Sequence, residues 1–279
     1  MIKKILAGLC LAAFVSPLFQ AGAQDAPPVK NKTLILATTT SVQDTGLLDI
    51  LIDAFQKGGE YTVKPVAVGS GQAMQMGKMG EADLLWVHSP DDEKQFVAEG
   101  YGTDRTTFMH NDFVVLGPAS DPAKIKKEKK AADAFAKIAA SGALFVSRGD
   151  KSGTHKKELQ LWELAKAKPA AEKYLEAGQG MAATVKIANE KEAYVLADRS
   201  SYLSLKKNLS LKILSEGDEA LLNRYSLILV NPEKFPKANA AGARAFFDFL
   251  LSKKTKKIVE NFGVEKYGKK LFFYDYKVK

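Results

Sequence analysis

Residues 33–56 constrain the fold more than any other stretch. An apolar run, Thr33-Leu-Ile-Leu-Ala37, passes through four consecutive hydroxyl residues, Thr38-Thr39-Thr40-Ser41, into an amphipathic segment. The run reads as a strand. Leu47, Leu48, Leu51, Ile52 and Phe55 recur at 3.6-residue spacing, which predicts a helix over about residues 45–56. A strand handing over to a helix places unpaired N–H groups and the positive end of the helix dipole at the junction, where anions are favoured. Capping needs one or two hydroxyls. Four in a row supply a donor cluster for something negative.

The junction recurs twice. Residues 62–68 are strand-like and lead into Gly69-Ser70-Gly71-Gln72-Ala73 before a short Met-containing helix. Glycines beside Ser70 let backbone approach a ligand closely. Leu144-Phe145-Val146-Ser147 leads into Arg148-Gly149-Asp150-Lys151-Ser152-Gly153-Thr154, followed by a helix through Leu159 and Trp162. Three strand–hydroxyl–helix junctions, one with an arginine, predict a single oxyanion held by helix ends.

Residues 1–23 read as a secretory signal: Lys3 and Lys4, an apolar stretch over 5–19, and Ala21-Gly22-Ala23 as the cleavage site, with cutting after Ala23 and a periplasmic location expected. No other stretch approaches the ~20 apolar residues of a membrane span. The single cysteine, Cys10, lies inside this segment, preceded by Leu9 rather than the small residue of a lipoprotein site. The exported chain therefore has no thiolate metal site, cysteine nucleophile or redox pair, and it relies on a substantial core instead of disulfides. The formal net charge is +9, with lysine clusters over 124–130, 253–257 and 266–270 that read as solvated helix faces. Export and the lack of an aromatic-interleaved basic motif argue against a nucleic-acid partner. A positive surface would still steer anions.

Strands and helices alternate along the rest of the chain. Strands are expected at 82–87, 112–116, 193–197, 211–214 and 226–230, and helices at 91–99, 131–140, 170–176, 181–189, 238–251 and 254–261. Such alternation predicts parallel sheets with helices on both sides. Asn111-Asp-Phe-Val-Val-Leu-Gly-Pro118 and Arg224-Tyr-Ser-Leu-Ile-Leu-Val-Asn-Pro232 are both apolar strands ending at a proline, separated by a stretch of ordinary domain length. They predict a discontinuous two-lobe α/β protein: lobe one from 24–115 and 228–279, lobe two from 116–227, joined by two hinge strands. The cleft would be lined by helix N-termini from both lobes and would close around its ligand.

These residues together resemble the tungstate-binding periplasmic protein family (TupA) of ABC importers, over nearly all of the exported chain. The resemblance is carried by Ala37-Thr-Thr-Thr-Ser41 with Asp44, by Gly69-Ser-Gly-Gln-Ala73, by Ala82-Asp-Leu-Leu-Trp-Val-His-Ser-Pro90, and by Phe145-Val-Ser-Arg-Gly-Asp-Lys-Ser-Gly-Thr154. It implies a class II periplasmic solute-binding fold with two mixed sheets flanked by helices. It implies oxyanion contacts from Thr39, Ser41, Ser70, Arg148, Ser152 and Thr154, with tungstate and also molybdate as ligands. Tungsten enters only as its oxyanion, with no cofactor and no metal-ligating side chains. Delivery to an ABC permease, a monomer and no enzymatic activity are expected.

Two rival readings remain open. The spacing Arg148-x-Asp150-x-Ser152-Gly153-Thr154 also resembles the phosphate-binding loop of importers of the same class, where the aspartate accepts the ligand's proton. Tungstate and molybdate are unprotonated dianions and need donors only, which leaves Asp150 to orient Arg148 or cap the following helix. A secreted hydrolase is the second rival. Neither His88, His110 nor His155 lies in a hydrolytic motif, and Ser152 with His155 reads as a cap beside a surface histidine. Should Arg148 not bind the ligand, Arg199 or Arg224 would be the next candidates.

Overall fold

The computed structural model describes residues 32–278, so the expected signal segment and its cleavage site lie outside the described residues. The described chain opens with β1 (Thr33–Thr39), a single helical turn α1 (Thr40–Gln43) and α2 (Leu47–Gln56). The hydroxyl run is split between the end of β1 and the start of α1, and α2 starts later than expected. Gly46, at φ 83°, occupies the left-handed conformation between the two helices, where a Cβ would be strained. Next come β2 (Thr62–Val68), α3 (Ser70–Met79), β3 (Leu84–Val87) and α4 (Pro90–Ala98). Pro90 begins α4 as well as ending the strand region, because a first-turn proline gives up an N–H that has no intrahelical partner.

β4 (Gly102–Gly117) is far longer than the expected 112–116. Its first part is hard to see in the sequence because register shifts between Thr103 and Thr106 and between Thr107 and Met109 break the period-two alternation. Beyond it lie α5 (Ala131–Ser141), β5 (Phe145–Ser147), α6 (Gly153–Ala165) and β6 (Tyr174–Glu176). The expected helix over 170–176 is a 3-10 turn, Ala171–Lys173, followed by β6. Tertiary contacts override propensity there: Tyr174 stacks on Phe145 at 6.2 Å and its hydroxyl donates to Glu158 at 2.7 Å. Then follow α7 (Met181–Glu190), β7 (Val195–Asp198), α8 (Arg199–Leu205), β8 (Lys212–Ser215) and β9 (Leu222–Val230). The described chain closes with α9 (Ala240–Leu250), α10 (Lys253–Asn261), α11 (Val264–Tyr267) and β10 (Phe273–Tyr274).

The main sheet runs β10-β4-β9-β3-β1-β2, with β7 and β8 also paired to β4. β1 is parallel to β2 and β3, whereas β9 is antiparallel to β3 and β4, so the sheet is mixed rather than parallel. The two expected sheets are fused through β4. Gly102 to Asp112 pair with β9, and Phe113 to Gly117 pair with β7 and β8. β5 and β6 form a separate parallel pair.

Strand alternation builds cores on opposite faces. Leu34 and Leu36 pack with Leu47, Leu51, Trp86 and Phe246, while Ala37 joins Met74, Leu85, Phe96 and Ile228 on the other side. Further along β4, Phe113 and Val115 join Phe135, Trp162 and Tyr194, whereas Val114 and Leu116 join Val185 and Tyr202. The lobe boundaries expected at 115/116 and 227/228 fall inside β4 and β9.

At the junction, Arg199 Nε donates to Asp112 Oδ1 at 2.8 Å, and its guanidinium also lies 2.7 Å from Glu216. Asp112 is buried. Arg199→Ala strips a buried carboxylate of its partner and should lower the unfolding free energy by about 3 kcal/mol in urea titration. Ligand affinity should persist, because this arginine faces the strand junction.

Candidate functional site

The C-terminal ends of β1, β2 and β5 open into one cleft of about 460 Å³, and all six expected residues, Thr39, Ser41, Ser70, Arg148, Ser152 and Thr154, line it. Thr38 does not. Its hydroxyl donates to the Trp86 carbonyl at 3.0 Å and is fully buried, so one of the four consecutive hydroxyls serves the sheet.

Each junction presents its donors differently. Gly69 is the N-cap of α3, and its lack of a side chain leaves the first-turn N–H groups without a side-chain cap. Ser70 Oγ is buried with no protein partner among the described residues. At α6, Ser152 Oγ accepts from His155 N at 3.3 Å, which leaves its hydroxyl proton to be shared between Asp150 and the cleft. The Arg148 guanidinium pairs with Asp150 through one terminal nitrogen, while its Nε is buried without a protein partner. The other Asp150 oxygen accepts from Ser152 N at 3.1 Å. Burial pushes the Asp150 carboxyl up, but hydrogen bonds from Ser152 and the charge of Arg148 outweigh it and hold the group below its ordinary value. Asp150 therefore both orients Arg148 and supports the start of α6.

Several cleft residues lie outside the six expected contacts. Gly180 and Met181 bring in the uncapped N-terminus of α7. Asp44 and Asp198 add carboxylates to the lining. Asp198 is occupied, accepting from Ser201 N at 2.8 Å, Ser201 Oγ at 2.6 Å and Ser200 Oγ. Burial, and then the charge of Asp198, raise the Asp44 carboxyl, against the pull of Arg148. Asn111, Asn223 and Tyr225 form part of the wall. Their signal in the sequence is polar side chains at the ends of otherwise apolar strands.

The histidines fall into three settings. His155 is buried, not superficial as expected, and its Nδ1 accepts from Lys151 N at 3.0 Å. With that nitrogen occupied and Ser152 Oγ bonded to the backbone, the pair lacks the hydroxyl-to-imidazole contact of a hydrolase. His110 pairs with Asp275 at 2.8 Å on β4, away from the cleft. His88 lies at the end of β3 against Gly153 of the other lobe. A Cβ on Gly153 would come within 2.4 Å of the imidazole, so only glycine permits this approach. Arg224 pairs with Glu219 and lines a neighbouring cavity. Among the described residues, no group of three or more His, Cys, Asp or Glu side chains is placed to hold a metal ion.

A cleft between two α/β lobes, fed by helix N-termini and neutral donors around one arginine, defines a solute-binding protein for an anion. Residues 21–254 match the PBP superfamily domain. The chain is 49% identical over 242 residues to the tungstate-binding protein TupA of Peptoclostridium acidaminophilum, covering 86% of this chain and 85% of that one. It is 40% identical to TupA of Campylobacter jejuni, covering 86% and 90%. The structure of TupA from Desulfovibrio alaskensis G20 superposes with a TM-score of 0.80 at 45% identity, covering 88% of this chain and 99% of that one. The chain belongs to the TupA family of tungstate-binding proteins within the PBP superfamily.

Burial lowers the His88 imidazole from 6.5 to about 4, with Lys157 and Lys156 adding to the effect and a hydrogen bond with Asn223 opposing it. The native ring stays neutral where the unfolded ring takes a proton. The stability this contributes is present above pH 6.5 and is lost as pH falls towards 4. Between pH 5 and 6 the slope should approach 1.4 kcal/mol per pH unit for one proton. Chemical denaturation across that window should show a shallower slope in His88→Gln.

Proposed function

We propose that this protein captures tungstate, and also molybdate, in its interlobe cleft and delivers it to the permease of an ABC importer. The observation that carries the reading is the convergence of five hydroxyl side chains on Arg148 in a cleft where Ser70 Oγ and Arg148 Nε are buried without protein partners. Leaving such a group unpaired costs about 1–3 kcal/mol, which an anionic ligand would offset. Tungstate and molybdate carry no proton at neutral pH and ask only for donors. Asp150, the residue that would accept a proton from phosphate, is already engaged by Arg148 and Ser152 N. The names of the TupA relatives support the same assignment.

In this reading residues 24–115 and 228–279 form one lobe and 116–227 the other, and β4 and β9 flex between them. The protein is exported with its signal removed after Ala23, works as a periplasmic monomer, binds no nucleic acid and catalyses no reaction. Thr39, Ser41 and Ser70 grip the ligand from the first lobe, and Arg148, Ser152 and Thr154 from the second.

Tungstate should stabilise the native protein by about 4.1 kcal/mol at a thousandfold excess over its dissociation constant, seen as a rise in melting temperature. Calorimetric titration should give Arg148→Ala a loss of about 2–5 kcal/mol and Thr39→Ala or Ser70→Ala a loss of about 0.5–1.5 kcal/mol. A melting series in which phosphate stabilises more than tungstate would transfer the assignment to a phosphate importer.

Gly153→Ala provides an independent check on closure. Its Cβ would meet His88 across the cleft, so calorimetric titration should show weaker tungstate binding than in the wild-type protein. Equal affinity in the variant would mean that the His88 approach is dispensable.

A further inference from the structure

A hydrogen-bonded chain leads from the strand junction to the cleft. Asn111 and Asn223 stand opposite each other in the β4–β9 register, and both are buried. The Asn223 amide nitrogen donates to Asn111 Oδ1 at 2.8 Å and to the Tyr225 hydroxyl at 2.8 Å, which commits both of its hydrogens. The Tyr225 oxygen is thus an acceptor, and its one proton must go elsewhere. Tyr225 is fully buried, and on the cleft side its hydroxyl lies 3.5 Å from Ser41 Oγ, a pair in which either oxygen can donate; the contact from Asn223 favours Tyr225 as the donor. Ser41 Oγ lies in turn 2.9 Å from Thr39 Oγ1 and 3.3 Å from His88 Nε2.

We propose that Asn223 and Tyr225 are positioning residues that hold Ser41 as a hydrogen-bond donor to the ligand, so that the site favours fully deprotonated oxyanions. A serine oxygen that already accepts from tyrosine has its own hydrogen free. His88 Nε2 competes for that hydrogen, but a charged ligand oxygen is the stronger acceptor. Ser41 Oγ has two lone pairs, and with Tyr225 on one and Thr39 Oγ1, 2.9 Å away, on the other, a ligand that must donate a proton finds no acceptor there. The donor direction is set by Asn223, one strand position from the lobe junction, so the chemistry of the site is tied to the register of the hinge. Neither residue needs to touch the ligand.

This inference rests on the tungstate reading, and a double-mutant cycle separates the two. Tungstate is titrated calorimetrically into the wild-type chain, Ser41→Ala, Tyr225→Phe and the double variant. If Tyr225 acts through Ser41, Tyr225→Phe should weaken binding about three- to tenfold, and the double variant should bind no more weakly than Ser41→Ala alone. Losses that multiply, or a Tyr225→Phe protein that binds like wild type, would overturn the positioning role. Wild-type protein that takes up no tungstate would overturn the functional reading as well. Asn223→Ser in the same cycle gives the same decision should Tyr225→Phe fail to fold.

Discussion

Where β4 and β9 pair, from Gly102 opposite Val230 to Asp112 opposite Leu222, one antiparallel ladder sets Asn111, Asn223 and Tyr225 in the wall of the cleft. The same β4 continues to β7 and β8, so the ladder ends where the two lobes meet. Asp112, at that end, is held by Arg199, and Asn111 is held by Asn223. A one-residue slip in this register would move Tyr225 to the opposite face and take the support from behind Ser41. The polar residues at the ladder's end are costly to bury and are satisfied by one another, as a low-dielectric interior requires.

The site built on this frame is economical with formal charge. Among the described residues, Arg148 and Lys266 are the cationic side chains lining the cleft, and Asp150 keeps Arg148 oriented. The remaining attraction comes from neutral hydroxyls and uncapped helix starts at α3 and α7, which are already in place before a ligand arrives. Asp44 and Asp198 stand in the same cleft. Asp198 is wrapped by serine donors, which spread its charge into the surrounding hydrogen bonds.

Much of this was legible in the sequence because it depends on local patterns. Strand–hydroxyl–helix junctions announce themselves through an apolar run, small polar residues and a 3.6-residue repeat. All three junctions do reach one cleft. What was hidden depends on long-range pairing. The first half of β4 is obscured by bulges, β6 exists because Tyr174 finds Phe145 and Glu158, and β9 runs antiparallel to β3 across a separation of more than half the chain. Asn111, Asn223 and Tyr225 belong to that second class. Each looks like an ordinary strand residue until the register sets them side by side. His155 was misread for the same reason, since only the tertiary fold encloses it.

In the proposed reading, the division of donors between the two lobes has a kinetic consequence. Each half offers only part of the coordination a tetrahedral dianion needs, so either half alone would hold it weakly. Once one half has captured the ion, engagement of the second is intramolecular, and the effective concentration of its donors replaces their bulk concentration. Retention is then governed by the chance that both halves let go together. A carrier of this kind can bind tightly in dilute solution and yet unload quickly when a membrane partner simply holds its halves apart.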